Sequence, residues 1–545
     1  MWAKGTVVRG RVARSRRDRH PGRAGLGTRR SAALVMAAGL AAVVALPAFG
    51  ADWLTYRQGP ERRNASPERF GAPLSLVWKF TTAPSDQRVP PVVTADRVFV
   101  AAGKTMYGLD VATGAAIWQY DAGDDILAPP TYADGRVIFG ADNGKIICLN
   151  AANGKEIWNV ATALSIRAAP AVVAGVVYAA SLDRQAMAID AATGAKRWSS
   201  QLSDELWGAP AVADNLMLVP TADGQIFGLD VSDGRTRLQI AMPNRRALMN
   251  PIAVTEDAMY VAGRSDLRAL NRRGAQKWDL EYTAFLTGGA AVAGDRVFIT
   301  LIDGRLLAVD PERSRTLWEF KFNADMTSPP TVVGDVVIAG ATGGLVYALD
   351  AASGTPRWVY PARPPGLAAG VKASFDLVAS PVYANGSLYL TWDDGSVARF
   401  DVNAPDVSPP RIELLTPPEN SVTGTSLPKI IGAQVFDEGS GVDFASPTMT
   451  IDGGPVSAKL DPYTGYLTYT IDAKSPFAPF KEGWHTVRVT VRDQRGNEAT
   501  RTWRFYAKTG AEKVQTQPTQ PAAPSAGVTP PGPPPAGLPP AVPAP

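Results

Sequence analysis

The sequence predicts an all-β chain: an eight-bladed β-propeller, then an immunoglobulin-like β-sandwich, then a disordered Pro-rich tail. Three observations carry this expectation. Tryptophan recurs every forty residues, at Trp78, Trp118, Trp158, Trp198, Trp278, Trp318 and Trp358, with Leu238 standing where the missing member belongs. A fixed period in this range marks a repeat architecture. Between the tryptophans, short apolar and β-branched runs are joined by Asp-Gly and Asn-Gly dipeptides, the residues of tight hairpin turns. The two ends of the array also complement each other: the first tryptophan precedes the first copy, and the last copy, 381–401, has three strands and no fourth.

Residues 1–50 read as a secretory leader. Ten Lys/Arg and one acid occupy 1–30, an uncharged apolar stretch covers 32–46, and Pro-Ala-Phe-Gly-Ala follows. A basic region, a short apolar stretch and small residues are the parts of a cleaved signal. The alternative is an uncleaved segment that anchors the chain, although the run is short for a span needing about 20 residues. The protein is therefore expected to be exported, to the periplasm or the cell surface, and to meet a membrane only through that segment. Beyond residue 50 there are 45 basic and 50 acidic residues, so the folded part has no electrostatic footprint for nucleic acid. With Cys148 as the one cysteine, no internal disulfide can form. Its apolar neighbours mark it as a small core residue.

The propeller is assigned to 51–403. In the copy at 128–160, Pro130-Thr-Tyr, Arg136-Val-Ile-Phe-Gly140, Lys145-Ile-Ile-Cys-Leu149 and Glu156-Ile-Trp158 alternate with turns at Asp134-Gly135, Asn143-Gly144 and Asn153-Gly154. Each copy is thus a four-stranded meander, and radial stacking buries the faces that one sheet leaves open. Residues 74–80 supply the fourth strand of the last blade, which removes an exposed edge. Pairs such as Leu109-Asp110 and Thr113-Gly114 recur after the third strand. These are turn-forming residues.

Two adjacent columns precede the inner strands. Three residues before the proline column lie Arg88, Leu127, Arg167, Trp207, Leu248, Leu286, Thr327 and Val378; one earlier lie Gln87, Ile126, Ile166, Leu206, Ala247, Phe285, Met326 and Leu377. Neighbours on a strand alternate sides, so one column can line the channel mouth while the other packs between blades. Packing of both remains open at this stage. The interval from tryptophan to proline is 12 residues in most copies but 23 between Trp358 and Pro381. This insertion, which contains Phe375, falls on the same face, and loops on a rigid scaffold commonly bind. The candidate partner-binding face is Arg88, Arg167, Trp207, Leu248, Phe285, Met326 and Phe375.

Catalytic signals are sparse. His20 and His485 are the only histidines, and His20 lies in the leader. Asp142, Asp183, Asp223, Asp303, Asp393 and Asp394 sit at the second hairpins, all on one face, where turn formation accounts for them. No catalytic, cofactor or metal residue is assigned.

Residues 404–410 form a Pro-containing linker. The 411–507 segment alternates in six or seven short strands, as a β-sandwich does. Ser440-Gly-Val-Asp443, Asp452-Gly453, Gly483-Trp-His485, Asp493-x-x-Gly-Asn497 and Trp503-x-Phe505 together resemble bacterial immunoglobulin-like modules. Asp437, Asp443 and Asp493 could meet a calcium at a loop end, but turn formation is the simpler role. The tail, 508–545, carries twelve prolines and is expected to be extended.

The run Leu-Asp-x-x-Thr-Gly-x-x-x-Trp at 109–118, echoed at 349–358, and the lead-in Trp53-Leu-Thr-Tyr-Arg57 with Asn64 resemble the pyrroloquinoline quinone (PQQ)-like eight-bladed propellers. The resemblance implies that each listed tryptophan docks between neighbouring blades and that Leu238 marks a looser joint. It also implies two classes of function, since the family holds quinoprotein dehydrogenases and the BamB assembly factor of the outer membrane. A quinone with calcium would need converging oxygen ligands. The family's alcohol dehydrogenases also use adjacent cysteines and long capping loops, which this chain lacks. The expectation is a non-catalytic extracytoplasmic scaffold, BamB-like, with protein partners in the cell envelope and no cofactor. The alternative is a PQQ-dependent dehydrogenase, with PQQ and calcium, oxidising alcohols or sugars.

Overall fold

The computed structural model describes residues 51–84, 89–243, 247–322, 324–361, 376–423, 428–461, 464–472, 474–478 and 480–508. The leader, Arg88, Phe375 and the tail lie outside them.

Among these residues, eight sheets form the blades, antiparallel except that Ala65–Ser66 adds a parallel fifth strand beside Thr331–Val333 in one of them. In the second, Thr131–Ala133, Arg136–Gly140, Lys145–Asn150 and Glu156–Ala161 run outward from the axis. Its two middle strands are buried almost throughout, whereas the outermost alternates around Trp158. Ser75–Thr81 closes the ring: it pairs with Ser396–Asp401, Ser75 opposite Asp401 and Thr81 opposite Ser396.

The tryptophans bolt each blade to the next. The indole N–H of Trp118 donates to Ala151 O at 2.9 Å, that of Trp158 to Ala191 O at 3.0 Å and that of Trp198 to Val231 O at 2.9 Å. Trp78, Trp278 and Trp318 do the same with Val111, Pro311 and Ala351. The glycine of the receiving turn is needed twice over. Gly154 has φ +69°, and a Cβ there would lie 2.6 Å from the Trp118 ring.

Two joints differ. At Leu238 the receiving turn is one residue shorter: Gly274 N–H donates to Asn271 O, where Gly234 N–H donates to Asp230 O four residues back. Leu238 and Ile240 fill the joint apolarly. At the last joint the Trp358 indole N–H has no partner among the described residues; the ring stacks on Tyr360, with centroids 5.6 Å apart.

The lead-in crosses one end of the ring and laces the blades together. Trp53 exchanges two backbone hydrogen bonds with Val93, and the carbonyls of Leu54, Pro60, Glu61, Arg63 and Asn64 accept from Tyr132, Val212, Val254, Val292 and Val332. Ala51 O accepts from Asn385 N. The third blade is reached by Arg62, whose guanidinium donates to Ala169 O and Pro170 O, each at 3.0 Å.

The C-terminal part is two four-stranded antiparallel sheets sharing a core of Ile431, Val435, Met449, Leu467, Val487, Trp503 and Phe505. Along Gly483–Arg492, His485, Val487, Val489 and Val491 point inward. His485 bonds Asp452 Oδ2 through Nδ1 at 2.6 Å and Lys481 O through Nε2 at 2.8 Å, a structural role. This part docks on the last blades: Tyr360 Oη donates to Glu438 O at 2.9 Å and Gln494 Nε2 to Val359 O at 2.9 Å.

Candidate functional site

The inner strands bring one residue of each described copy to the mouth of the axial channel. Strand alternation buries the neighbouring column, Ile126, Ile166, Leu206, Leu248, Leu286, Met326 and Leu377. The mouth column is Leu127, Arg167, Trp207, Met249, Thr287, Thr327 and Val378.

This corrects two expected partner-face residues. Leu248 and Met326 are core, 4% and 1% exposed, because they share the phase of Ile126. In the fifth blade the proline stands one residue earlier relative to the inner strand, so Met249, 52% exposed, takes the mouth position. Phe285 is on the same face but one step farther out, 45% exposed, with the Arg264 guanidinium 4.0 Å from its ring centroid.

Arg167 and Trp207 do meet. The Arg167 guanidinium lies 5.3 Å from the Trp207 ring centroid. It is held by a two-point bond to Asp142, Nε to Oδ1 at 3.0 Å and Nη2 to Oδ2 at 2.7 Å. That hydrogen bonding raises the Arg167 pKa further. Trp207 Nε1 donates to Glu205 Oε2 at 2.8 Å. The pair is thus pre-set, an aromatic face and a planar cation at a concave surface. Other members of the expected aspartate ring are taken up by nearby loops and side chains: Asp183 accepts from Ala163 N, Asp303 pairs with Arg305, and Asp393 accepts from Asp376 N.

The mouth encloses about 290 Å³, with Tyr56 among its lining residues. Arg167 is the one charged side chain of this described lining, which holds no carboxylate, histidine or cysteine. Deeper on the axis lie three lead-in side chains that the sequence did not mark as channel residues. Arg62 Nε donates to Pro210 O at 2.9 Å, Arg57 Nη1 to Gly289 O at 3.1 Å, and Asn64 Nδ2 to Pro330 O. Arg57 and Arg62 are 1% and 0% exposed. Burial pushes both below the ordinary arginine value, Arg62 down to about 9. Backbone carbonyls rather than carboxylates satisfy them. Positive φ at Arg57, Gln58, Arg62 and Asn64 turns these side chains toward the axis, at the strain such conformations carry for non-glycine residues.

The family model described as outer membrane protein assembly factor BamB matches residues 75–165, 142–284 and 263–404, more than half of the chain. The chain belongs to that family. Among solved structures, BamB from Moraxella catarrhalis is similar at 21% identity and TM-score 0.50, over 60% of this chain and 99% of that one. The quinohemoprotein alcohol dehydrogenase of Comamonas testosteroni is similar at 17% identity and TM-score 0.55, over 69% and 83%. A europium-containing methanol dehydrogenase is similar at 15% identity and TM-score 0.53, over 62% and 89%. These likenesses share the fold. No curated protein matches the chain.

Some members of this fold are thus quinone enzymes. Calcium takes six to eight oxygen ligands, whereas this BamB-family mouth offers one arginine and no carboxylate among its described lining, and guanidinium groups fill the axis beyond it. These residues do not fit a quinone–calcium pair.

Proposed function

We propose that this BamB-family chain is a non-catalytic, extracytoplasmic protein-interaction scaffold acting in the cell envelope, with its partner seated on the channel mouth. The observation that carries this reading is the Arg167–Trp207 pair. A desolvated aromatic or Arg anchor at the centre of a concave surface is the kind of group on which binding energy concentrates. Leu127, Met249 and Val378 supply apolar surface around the pair, and the neighbouring Phe285 extends it. The competing reading, a PQQ-dependent dehydrogenase, is supported by shared fold alone.

The test is a photo-crosslinker at position 249 in chain recovered from the envelope fraction, where the mature protein is to begin after residue 50. One specific protein adduct is expected. Trp207→Ala and Arg167→Ala should each weaken it by about 2 kcal/mol, roughly 30-fold in Kd, with the melting curve unchanged. If either variant lowers stability and leaves the adduct untouched, the mouth is not the partner site.

A further inference from the structure

We propose that the junction between the propeller and the C-terminal sheets holds a divalent cation, calcium in preference to magnesium, on Asp406, Asp437 and Asp493. One carboxylate oxygen from each of the three lies within 4.8 Å of the others. Asp406 belongs to the linker leaving the propeller, Asp437 follows Ile430–Phe436, and Asp493 follows Gly483–Arg492. Asp437 and Asp493 are 3% and 2% exposed.

No Lys or Arg pairs with this trio among the described residues. Arg495, next to it in sequence, is committed to the propeller: its guanidinium donates to Ser75 Oγ at 3.0 Å, to Val402 O and to Ala404 O. Neutral N–H groups bond the trio, Arg495 N and Asn497 N and Nδ2 to Asp493 and Ser408 N to Asp406, but they do not cancel the repulsion of three converging carboxylates, and buried charges are ordinarily paired or bound to metal.

A second observation is independent of the carboxylates. Ser440 is fully buried, and its Oγ has no hydrogen-bond partner among the described residues. The same residue's N–H donates to Asp406 Oδ2 at 2.7 Å, and the next, Gly441 N–H, to Asp437 Oδ2 at 2.7 Å. A buried hydroxyl left unpaired calls for an explanation, and a cation ligated beside Asp406 and Asp437 supplies one. A cavity of about 290 Å³ opens on Asp406 and Asp437 and gives access. Three carboxylates from three separate segments, with one hydroxyl, suit calcium, which accepts many oxygens in adaptable geometry, better than magnesium, which demands an octahedron. The ion would tie the linker to two loops of the C-terminal sheets beside the Arg495 contacts, fixing those sheets on the last blade.

The experiment is calorimetric titration of the chelator-treated full chain with CaCl2 and, separately, MgCl2. One calcium per chain is expected, with magnesium weaker, a raised Tm and slower proteolysis at 404–410. Asp406→Asn should weaken calcium at least tenfold, and Asp142→Asn, at the propeller mouth, should leave it unchanged. Absence of saturable calcium binding overturns the proposal, as does wild-type affinity in Asp406→Asn. Should that variant not fold, Tb3+ bound to the wild-type chain decides: luminescence excited through Tyr360 and displaced by Ca2+ is expected, and its absence overturns the site.

Discussion

Gly154 and Gly135 show how much one residue type can conceal. Both take positive φ, +69° and +76°, but a Cβ at 154 would strike the Trp118 ring at 2.6 Å while one at 135 meets nothing within 4 Å. An alanine at 135 carries only the left-handed backbone penalty, about 1–2 kcal/mol. An alanine at 154 adds the displacement of an indole that is hydrogen-bonded to Ala151, and overpacking costs about 1–3 kcal/mol more. Thermal melts of Gly135→Ala and Gly154→Ala should therefore separate clearly, with 154 the lower. Equal melting temperatures would mean that the tryptophan does not lock the joint. The receiving glycines were legible as turn residues, but their second task was not, because the clash involves the tryptophan ring of the preceding copy, Trp118 for Gly154.

At the level of the element, the alternation of the inner strands decides which residues can recognise anything. Leu248 is core and Met249 is mouth. Leu248→Ala should cost about 2–5 kcal/mol, as a truncated core leucine does. Met249→Ala should change stability by no more than about 0.5 kcal/mol, as at an exposed position, while weakening partner binding measured without the crosslinker. Denaturant melts of the two variants check this, and a reversed order would return the columns to the opposite phase. The repeat period, the four-stranded unit and the complementary ends could all be read from the sequence, since each leaves a residue-type signature. The phase of the columns could not be read in the fifth copy. Counting back from Pro251 selects Leu248 because that proline stands three residues before its inner-strand position Val254, where Pro130 and Pro210 stand two before Tyr132 and Val212, and only the burial of Leu248 reveals it. The lead-in was legible as a family segment but not as the lacing of the ring, because backbone hydrogen bonds to Tyr132, Val212 and Val254 carry no side-chain pattern.

The whole molecule is closed twice, once by Ser75–Thr81 completing the last blade and once by the lead-in bonding to the inner strands around the ring. The second closure bears on function. The lead-in places Arg57, Arg62 and Asn64 on the axis, where they bond Gly289 O, Pro210 O and Pro330 O. In the function proposed above, recognition falls to the open mouth and its Arg167–Trp207 pair. The most direct test of this central claim is calorimetric titration of the purified chain with PQQ in the presence of calcium, followed by dye-linked oxidation of alcohols and sugars. The account predicts no stoichiometric quinone binding and no turnover, whatever calcium binds at the junction. One quinone per chain with substrate-dependent dye reduction would contradict it.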